Sequence, residues 1–424
     1  RRQMAALLRS EWRVVVTVEV LALTVFALCV LQRGHDAAIH HTEQPMDLAL
    51  LNGILRSPSL PPRDPWFAGH VISYYYGGYW LVALLAWLTG LPAGVAYNLG
   101  LAHTMALAGA AAYGLIVELT DEGPGRWGVG AVLGAGAVLL AGNGEVLLEI
   151  PYARGWGGEA LWRWVGIPGL AESVPSGNWL PTDHWWWWRA SRVLYDDNVL
   201  GRLPTIITEF PAFSLVLGDL HPHFTALPFF LTGLALAIAL WPAPSSGRGG
   251  GTWLAWAMAP LLLGWLGLAN SWDLPTAGLV VGATACLGAV AQGAGRRRWV
   301  WLAAGVLWLA AGSVALYGPF YRELHTQVQG MGTVHYAKTG LGHYLIVFAP
   351  WLLPIGIELA RRGRGIRPGR IAATWAVVAL LPWLAMLVLG GWGALLWGAA
   401  SLAIDGPWLW LALSGALSVL VLDI

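Results

Sequence analysis

Acidic and imidazole side chains cluster in the segment 208–223 of this sequence. Asp219, His221 and His223 fall within five positions, and Pro222 holds the two histidines in a fixed relation. Such groups could bind a divalent metal ion, a phosphate, or both. The two histidines alone are a weak metal signal, because zinc sites usually have three or four ligands at known spacings. The alternative is a hydrogen-bonded cap on a helix.

A second acidic pattern lies between His40 and Arg56. Pro45 suits the first turn of a helix, and the leucines and the isoleucine of this helix would form one apolar face. Asp47 falls in the middle of that face, so its carboxylate is predicted to point into the protein and to need a cation, a hydrogen-bond donor or a proton. A catalytic role is favoured; the alternative is a buried ion pair with Arg189 or Arg192.

Arg189 and Arg192 follow four consecutive tryptophans at positions 185–188. Two guanidinium groups beside indole rings could hold a phosphate together with a lipid or a sugar ring. A tryptophan belt at the membrane interface explains the indoles equally well. Asp64 and Asp273 are weaker candidates, because each could simply cap a turn or a helix.

The composition of the chain decides its class. Of 424 residues, 57% are hydrophobic and only 11% are charged, whereas soluble domains carry roughly 25% charged residues. A soluble enzyme, a disordered chain and a secreted disulfide scaffold are excluded, and an all-α polytopic membrane protein is predicted. The net charge of +1 does not indicate nucleic acid as a partner. Cys29 and Cys286 lie in apolar runs, which favours packing over a disulfide.

Eleven apolar segments could cross the membrane, at about 20 residues per crossing. They run at 12–31, 71–90, 94–119, 126–145, 211–241, 252–270, 273–291, 299–318, 341–360, 371–389 and 391–424. The arginine-rich loops all face the cytoplasm only if one early segment does not cross, and 71–90, rich in tyrosine and glycine, is the best candidate. We predict one transmembrane domain over 1–424 with about 10–11 crossings, and segments missing at one or both ends.

This topology puts the N-terminus in the cytoplasm and the longer polar segments outside. The outer segments are 32–93, which would contain interfacial helices, 146–210 and the loop 319–341, which could cover a site. The inner loops are short and no P-loop is present. A reaction would therefore take its substrate from the membrane or from the outer side.

Several motifs occur in order along the chain. They are Glu43-Gln-Pro-Met-Asp47, Pro61-Pro-Arg-Asp64-Pro-Trp66, Tyr74-Tyr-Tyr76-Gly, Glu209-Phe-Pro211 with Gly218-Asp-Leu-His-Pro-His223, and Asn270-Ser-Trp-Asp-Leu-Pro-Thr276. Together they resemble the Chlor_Arch_YYY family, a largely uncharacterised multi-pass membrane family of bacteria and archaea named for its triple tyrosine. The resemblance covers about residues 15–345, and it implies a location in the plasma membrane. Gln44 departs from the lysine expected there.

That family is similar in layout to GT-C glycosyltransferases, such as protein mannosyltransferases and the aminoarabinose transferases of lipid A. By this analogy the chain would transfer a sugar from a polyprenyl-phosphate donor in the lipid membrane to an acceptor hydroxyl at the outer face. The configuration at the anomeric carbon would be inverted. Asp47 would be the general base, with Glu43 or Asp219 assisting. Asp219, His221 and His223 could hold Mg²⁺ or Mn²⁺. The residues predicted to bind substrate or phosphate are Arg189, Arg192, His221, His223, Asp64, Tyr74, Tyr75, Tyr76 and Asp273.

Two other functions remain open at this stage. A transporter or flippase for a lipid-linked sugar or an anion would use the same charges as a translocation site. Such a protein should carry polar residues along its whole path and often contains inverted repeats, whereas these charges cluster at one membrane face. A non-catalytic subunit of a membrane complex is the third possibility.

Overall fold

A computed structural model describes residues 10–120, 128–194, 206–240, 249–291, 295–325 and 340–376, together with positions 380 and 419. Within these residues the regular structure is helical, and the extended segments form only an isolated bridge between Arg63 and Val71. The α-helices are Trp12–His35, Gln44–Arg56, Gly77–Thr89, Ala93–Thr120, Val129–Leu140, Val146–Ala153, Glu159–Val165, Pro211–Leu217, Pro222–Leu240, Gly249–Ala269, Asp273–Ala291, Arg296–Leu316, Gly318–Glu323 and Leu341–Gly363. The prediction of an all-α protein is confirmed.

Five of the described helices are long and apolar enough to cross a membrane. They are Trp12–His35, Ala93–Thr120, Pro222–Leu240, Trp299–Leu316 and Leu341–Gly363. Shorter apolar helices cover Gly77–Thr89, Val129–Leu140, Leu254–Ala269 and Asp273–Gly288. The chain is therefore a polytopic membrane protein, as predicted. The last two predicted segments, 371–389 and 391–424, lie largely outside the described residues.

Three of the predicted apolar segments differ from the helices that form, and one of them, 71–90, is the segment predicted not to cross the membrane. Segment 71–90 is helical only over Gly77–Thr89, a length of about 20 Å against a bilayer core of about 30 Å. Segment 126–145 contains only the 12-residue helix Val129–Leu140. Segment 211–241 is not one helix but two, which are separated by the residues Gly218–His221 (the helix break) because Gly218 has a φ of 83°.

The chain divides into two compact units. The first unit comprises Arg1–Ala141 and Pro211–Val328, and the second comprises Gly142–Phe210 and Gln329–Ile424. The predicted outer segment 146–210 corresponds to the first part of the second unit.

The core of the first unit surrounds the helix Gln44–Arg56 (the loop helix). Leu50, Leu51 and Ile54 are at most 4% exposed and pack with residues of the long helix Ala93–Thr120. This confirms the predicted apolar face. Asp47 on the same face is fully buried, so the expectation that its carboxyl group points into the protein is also confirmed.

The second unit has a smaller core. Tyr152, Trp162, Ile167, Leu170 and Val193 are buried together. A buried ionic group, described below, lies beside this core and contains Arg189.

Candidate functional site

The helix break contacts the segment that precedes the loop helix. Gln44 is fully buried, and its Nε2 donates a hydrogen bond to the carbonyl oxygen of Leu217 (2.5 Å). Its Oε1 accepts hydrogen bonds from the backbone N–H groups of His40 and His41. One amide side chain therefore joins residues 173 positions apart in the sequence. The expected lysine could not make both kinds of bond, because it has no acceptor.

Asp219 is held in the same place by a hydroxyl group. The Thr42 Oγ1 lies 3.0 Å from Oδ1 and 2.9 Å from Oδ2 of Asp219, to which it donates. Asp219 is 1% exposed. Thr42 has a φ of 39°, a left-handed conformation that is uncommon for threonine and that directs its hydroxyl group to Asp219.

Asp47 bonds to two tyrosines rather than to an arginine. Tyr79 Oη donates to Asp47 Oδ1 (2.6 Å), and Tyr97 Oη lies 3.2 Å from Asp47 Oδ2. The Tyr97 hydroxyl group also accepts from the Leu220 N–H (3.1 Å) and lies 2.9 Å from the carbonyl oxygen of Gly218. The alternative of an ion pair between Asp47 and Arg189 or Arg192 is therefore wrong: tyrosines supply the hydrogen-bond donors.

Counting protons in this network indicates that Asp47 is neutral. Tyr97 has one hydroxyl proton, and if it goes to the Gly218 carbonyl, the contact with Asp47 needs a proton on the carboxyl group. Burial, the largest cause, and nearby Asp219 raise the pKa of Asp47 to about 8, against the lowering effect of the Tyr79 hydrogen bond. At neutral pH Asp47 therefore tends to hold a proton, and its full burial keeps it from contact with solvent.

Glu43 and His221 are in contact at the solvent side of this network. His221 Nε2 lies 2.7 Å from Glu43 Oε2, with side-chain exposures of 15% and 57%. The His221 and His223 rings are edge to face, with centroids 5.6 Å apart, and His223 Nε2 lies 3.3 Å from Ser214 Oγ. Among the acidic residues predicted for catalysis, Glu43 is the one that a substrate could reach.

The three predicted metal ligands face different partners. Asp219 accepts from Thr42, His221 meets Glu43, and His223 meets Ser214. His221 and His223 each have a ring nitrogen within 4.8 Å of the other, and a bound Mg²⁺ or Mn²⁺ stays a prediction.

The three tyrosines occupy different environments. Tyr74 and Tyr75 have ring centroids 5.0 Å apart, and Tyr76 packs edge to face on Phe320 at 5.7 Å. Burial, the largest cause, together with the charge of Glu43 raises the pKa of Tyr74 to about 12. Tyr74 is thus the member of the triplet whose titration is coupled to the acidic group.

Asp64 and Asp273 both make local hydrogen bonds. Asp64 Oδ1 accepts from the backbone N–H groups of Trp66 and Phe67 at 2.7 and 2.8 Å, and Asp273 Oδ2 accepts from Asn270 Nδ2 at 3.0 Å. Asp64 also lines a cavity of about 470 Å³ with Arg56, Arg63 and other residues at the C-terminal end of the loop helix. Capping alone accounts for the bonds of both residues, while the cavity beside Asp64 leaves room for a polar ligand.

Arg189 belongs to a buried ionic group of the second unit. Its Nε and Nη2 bond to Glu149 at 2.6 and 2.9 Å, and its Nη1 bonds to Asp183 at 2.6 Å. Burial lowers the pKa of Arg189. The hydrogen bonds to Glu149 and Asp183 have a larger combined effect in the opposite direction, so the pKa of Arg189 is raised. With two acids bound to it, Arg189 is a poor candidate for a phosphate ligand.

Arg192 stacks on a tryptophan ring. Its guanidinium carbon lies 3.5 Å from the Trp188 ring centroid, and it hydrogen-bonds Ser191. The cation–π contact matches the pairing of arginine with indole that the sequence predicted, although a phosphate ligand role for Arg192 stays a prediction.

Sequence reasoning missed Gln44, Thr42, Tyr79 and Tyr97 as parts of this site. Tyr97 lies inside an apolar helix and Tyr79 at the start of another. Hydroxyl groups at such positions need partners when buried, and this signal could have paired them with Asp47.

We expect Gly218→Ala to disrupt the helix break. An added Cβ would collide with Arg33 Nη1 and approach Gln44 Nε2 to 2.8 Å, at a φ of 83°. A left-handed non-glycine residue costs about 1–2 kcal/mol, and overpacking costs about 1–3 kcal/mol more. Denaturation in detergent should show a loss of about 2–5 kcal/mol. Gly136→Ala, in open space, is the control and should not destabilise; equal behaviour of the two variants would contradict this account.

Comparison with known proteins gives one match. A family described as "Uncharacterized membrane protein (DUF2298)" matches residues 1–421. No curated protein and no solved structure matches the chain. The resemblance to an uncharacterised membrane family is confirmed at this level, whereas the name given above and the similarity to GT-C glycosyltransferases stay predictions.

Proposed function

Since the chain belongs to the DUF2298 family of uncharacterized membrane proteins, we propose its function from its own side chains: a membrane glycosyltransferase that uses a polyprenyl-phosphate sugar and an acceptor hydroxyl. The observation that carries the proposal is the contact between Glu43 Oε2 and His221 Nε2 at 2.7 Å, in which the glutamate side chain is 57% exposed. A carboxylate beside an imidazole is a common arrangement for moving a proton from a hydroxyl group. Glu43 directly precedes the loop helix, and His221 directly precedes the apolar helix Pro222–Leu240. At this position a lipid donor in the membrane is available to the pair.

The burial of the acidic residues assigns them different roles in this proposal. Glu43 accepts the proton of the acceptor hydroxyl, and His221 orients the carboxylate. Asp47 was the base expected from the sequence, but a fully buried carboxyl group bonded to Tyr79 and Tyr97 suits a positioning residue better. It holds the helix break, and thereby His221, in place.

The proposed reaction is a single displacement with inversion. The acceptor oxygen forms a bond to the anomeric carbon as its proton passes to Glu43. The bond between that carbon and the phosphate oxygen breaks, and its electron pair leaves with the polyprenyl phosphate. His223, next to the pair, is a candidate for stabilising this charge. The predicted topology puts the reaction at the outer face of the plasma membrane.

The test is the release of polyprenyl phosphate from a radiolabelled polyprenyl-phosphate hexose. Purified protein in lipid nanodiscs is given a panel of such donors with an acceptor extract. We expect turnover by the wild type and a loss of about 100-fold or more in Glu43→Gln, because a general base contributes roughly 10²–10⁴-fold. Glu323→Gln, an exposed glutamate of the same unit, is the matched control and should keep full turnover.

Two results would overturn the proposal. Wild-type turnover by Glu43→Gln would remove the base. Tight binding of a donor by the wild type without any release would instead favour a transporter.

A further inference from the structure

A short hairpin follows the loop helix and is anchored in the core of the first unit. The backbone N–H of Ile72 donates to the carbonyl oxygen of Pro62 at 2.9 Å, and that of Asp64 donates to the carbonyl oxygen of His70 at 3.0 Å. Ile72 is 1% exposed and packs in the core. Residues 62–72 (the hairpin) therefore have a fixed base.

The turn of the hairpin carries two exposed aromatic side chains. Trp66 and Phe67 are 66% and 64% exposed, and their backbone N–H groups both donate to Asp64 Oδ1. The two rings (the aromatic tip) are thus presented by an ordered turn. Since aromatic rings are favoured at the interface between membrane and water, the aromatic tip suits the headgroup layer of a lipid bilayer.

Two exposed arginines line the cavity between the hairpin and the loop helix. Arg56 is in the last turn of the loop helix and Arg63 is on the hairpin, and both border this cavity of about 470 Å³. Within the part of the chain that the structure describes, neither side chain forms an ion pair or a hydrogen bond. The guanidinium donors of Arg56 and Arg63 (the cavity arginines) are therefore available to a ligand that arrives from the surface.

Backbone contacts hold the hairpin against the loop helix. Ser57 Oγ accepts a hydrogen bond from the backbone N–H of Arg63 at 2.9 Å. Gly53 lies so close to the hairpin that an added Cβ would be 3.1 Å from Pro65 Cδ and 3.2 Å from the carbonyl oxygen of Arg63. The backbones that carry the cavity arginines thus have a fixed spacing, which favours the binding of one ligand by both side chains.

The cavity offers hydrogen-bond acceptors as well as cations. Asn52 Nδ2 donates to the carbonyl oxygen of Leu48 at 2.9 Å, which leaves its Oδ1 as an acceptor, and the carboxylate of Asp64 also belongs to the lining. Two guanidinium groups and one carboxylate give the lining a net charge of +1. A phosphodiester with one negative charge matches this value, and hydroxyl groups on the same ligand could donate to Asn52 and Asp64.

We propose that this cavity binds the headgroup of an anionic phospholipid in which the phosphodiester carries a hydroxyl-bearing alcohol. The cavity arginines hold the phosphate, and the aromatic tip enters the headgroup layer beside it. Basic groups next to membrane helices are a common means of recognising anionic lipids. The site shares no residue with the Glu43–His221 pair, and the proposal does not depend on a glycosyltransferase function.

The test titrates four probes into purified protein in a non-ionic detergent and follows the thermal unfolding midpoint, which rises when a ligand binds the native state. The probes are dihexanoyl phosphatidylglycerol, dihexanoyl phosphatidylcholine, glycerophosphoglycerol and inorganic phosphate. Glycerophosphoglycerol is the headgroup of the first probe without its acyl chains. We expect phosphatidylglycerol to act at a concentration about tenfold or more below that of the other three, because it alone combines a net negative charge, hydroxyl groups and acyl chains.

Variants of the cavity separate this site from general surface charge. Arg56→Gln and Arg63→Gln should each bind phosphatidylglycerol about tenfold more weakly, since each loses charge-assisted hydrogen bonds to the phosphate. Arg322→Gln, which changes an exposed arginine of the same unit, should bind as the wild type does. Ala49→Phe keeps both cavity arginines but fills the cavity from its lining; it should also bind about tenfold more weakly, which keeps the test decisive if an arginine variant does not fold.

A variant of the aromatic tip separates the lipid from its headgroup. Replacement of both rings, in the double variant Trp66→Ser and Phe67→Ser, should weaken the binding of phosphatidylglycerol about tenfold, because apolar contact with the acyl chains is lost. The same variant should bind glycerophosphoglycerol as the wild type does, since the cavity arginines are unchanged.

Four outcomes would overturn the proposal. They are no binding of phosphatidylglycerol by the wild type, equal binding by the wild type and the cavity variants, equal action of phosphatidylglycerol and phosphatidylcholine, and equal action of phosphatidylglycerol and inorganic phosphate. The last would show a site for free anions without a lipid. None of these results bears on turnover by the Glu43–His221 pair.

Discussion

Asp47→Asn is expected to remove a pH-dependent loss of stability while preserving turnover. Asp47 is fully buried, and burial raises its pKa from 3.8 to about 8. The folded state therefore keeps a proton that the unfolded state releases above about pH 4, so the wild type loses stability as the pH rises from about 4 to about 8. The contribution reaches about 5 kcal/mol at the upper end of this range.

Asparagine imitates the protonated carboxyl group at this position. Its oxygen can accept from Tyr79, and its amide can donate to the Tyr97 hydroxyl. Denaturation in detergent at pH 5 and pH 8 should thus show a large fall in the free energy of unfolding for the wild type and a small one for Asp47→Asn. Asp36→Asn, which removes an exposed carboxylate, should behave as the wild type does.

The same variant decides which acid acts as the base. If Glu43 is the base, Asp47→Asn retains donor turnover within a few-fold, since its hydrogen bonds are kept. A loss of about 100-fold, the size expected for a general base, would return that role to Asp47. An unchanged pH dependence of unfolding would contradict the account of its burial.

Arg189→Met is expected to destabilise the second unit by about 3–5 kcal/mol, because it leaves buried acids without their cation. Glu149 is fully buried, and both of its carboxylate oxygens bond to Arg189. Glu145, also fully buried, lies close enough to Glu149 that burial and this neighbour raise its pKa. Loss of Arg189 would therefore leave an acidic pair with Asp183 as a third carboxylate.

Arg163→Met is the matched control for this variant. Arg163 pairs with Glu159 at 3.4 Å on the surface of the same unit, with side-chain exposures of 68% and 79%. An exposed pair contributes about 0–1 kcal/mol. Limited proteolysis and thermal unfolding in detergent should separate the two variants clearly, and similar stabilities would show that the Arg189 group contributes little.

The sequence by itself determined the class of the protein and the direction of Asp47. A chain with 57% hydrophobic and 11% charged residues cannot cover itself with a polar surface, so membrane helices follow from composition. The periodicity of leucine around Asp47 is likewise a local property, because side chains three and four positions apart share a face of a helix. Both predictions needed no knowledge of distant residues.

Only the tertiary structure decided which groups partner the acidic residues. Tyr79 and Tyr97, not arginine, bond to Asp47, and Glu43 rather than Asp47 reaches solvent. Arg33 is 2% exposed, and its guanidinium group lies beside Gly218 of the helix break. The physical reason is that hydrogen bonds and burial depend on contacts between segments far apart in the sequence, such as Gln44 and Leu217, which are 173 positions apart. Helical periodicity carries no information on such contacts.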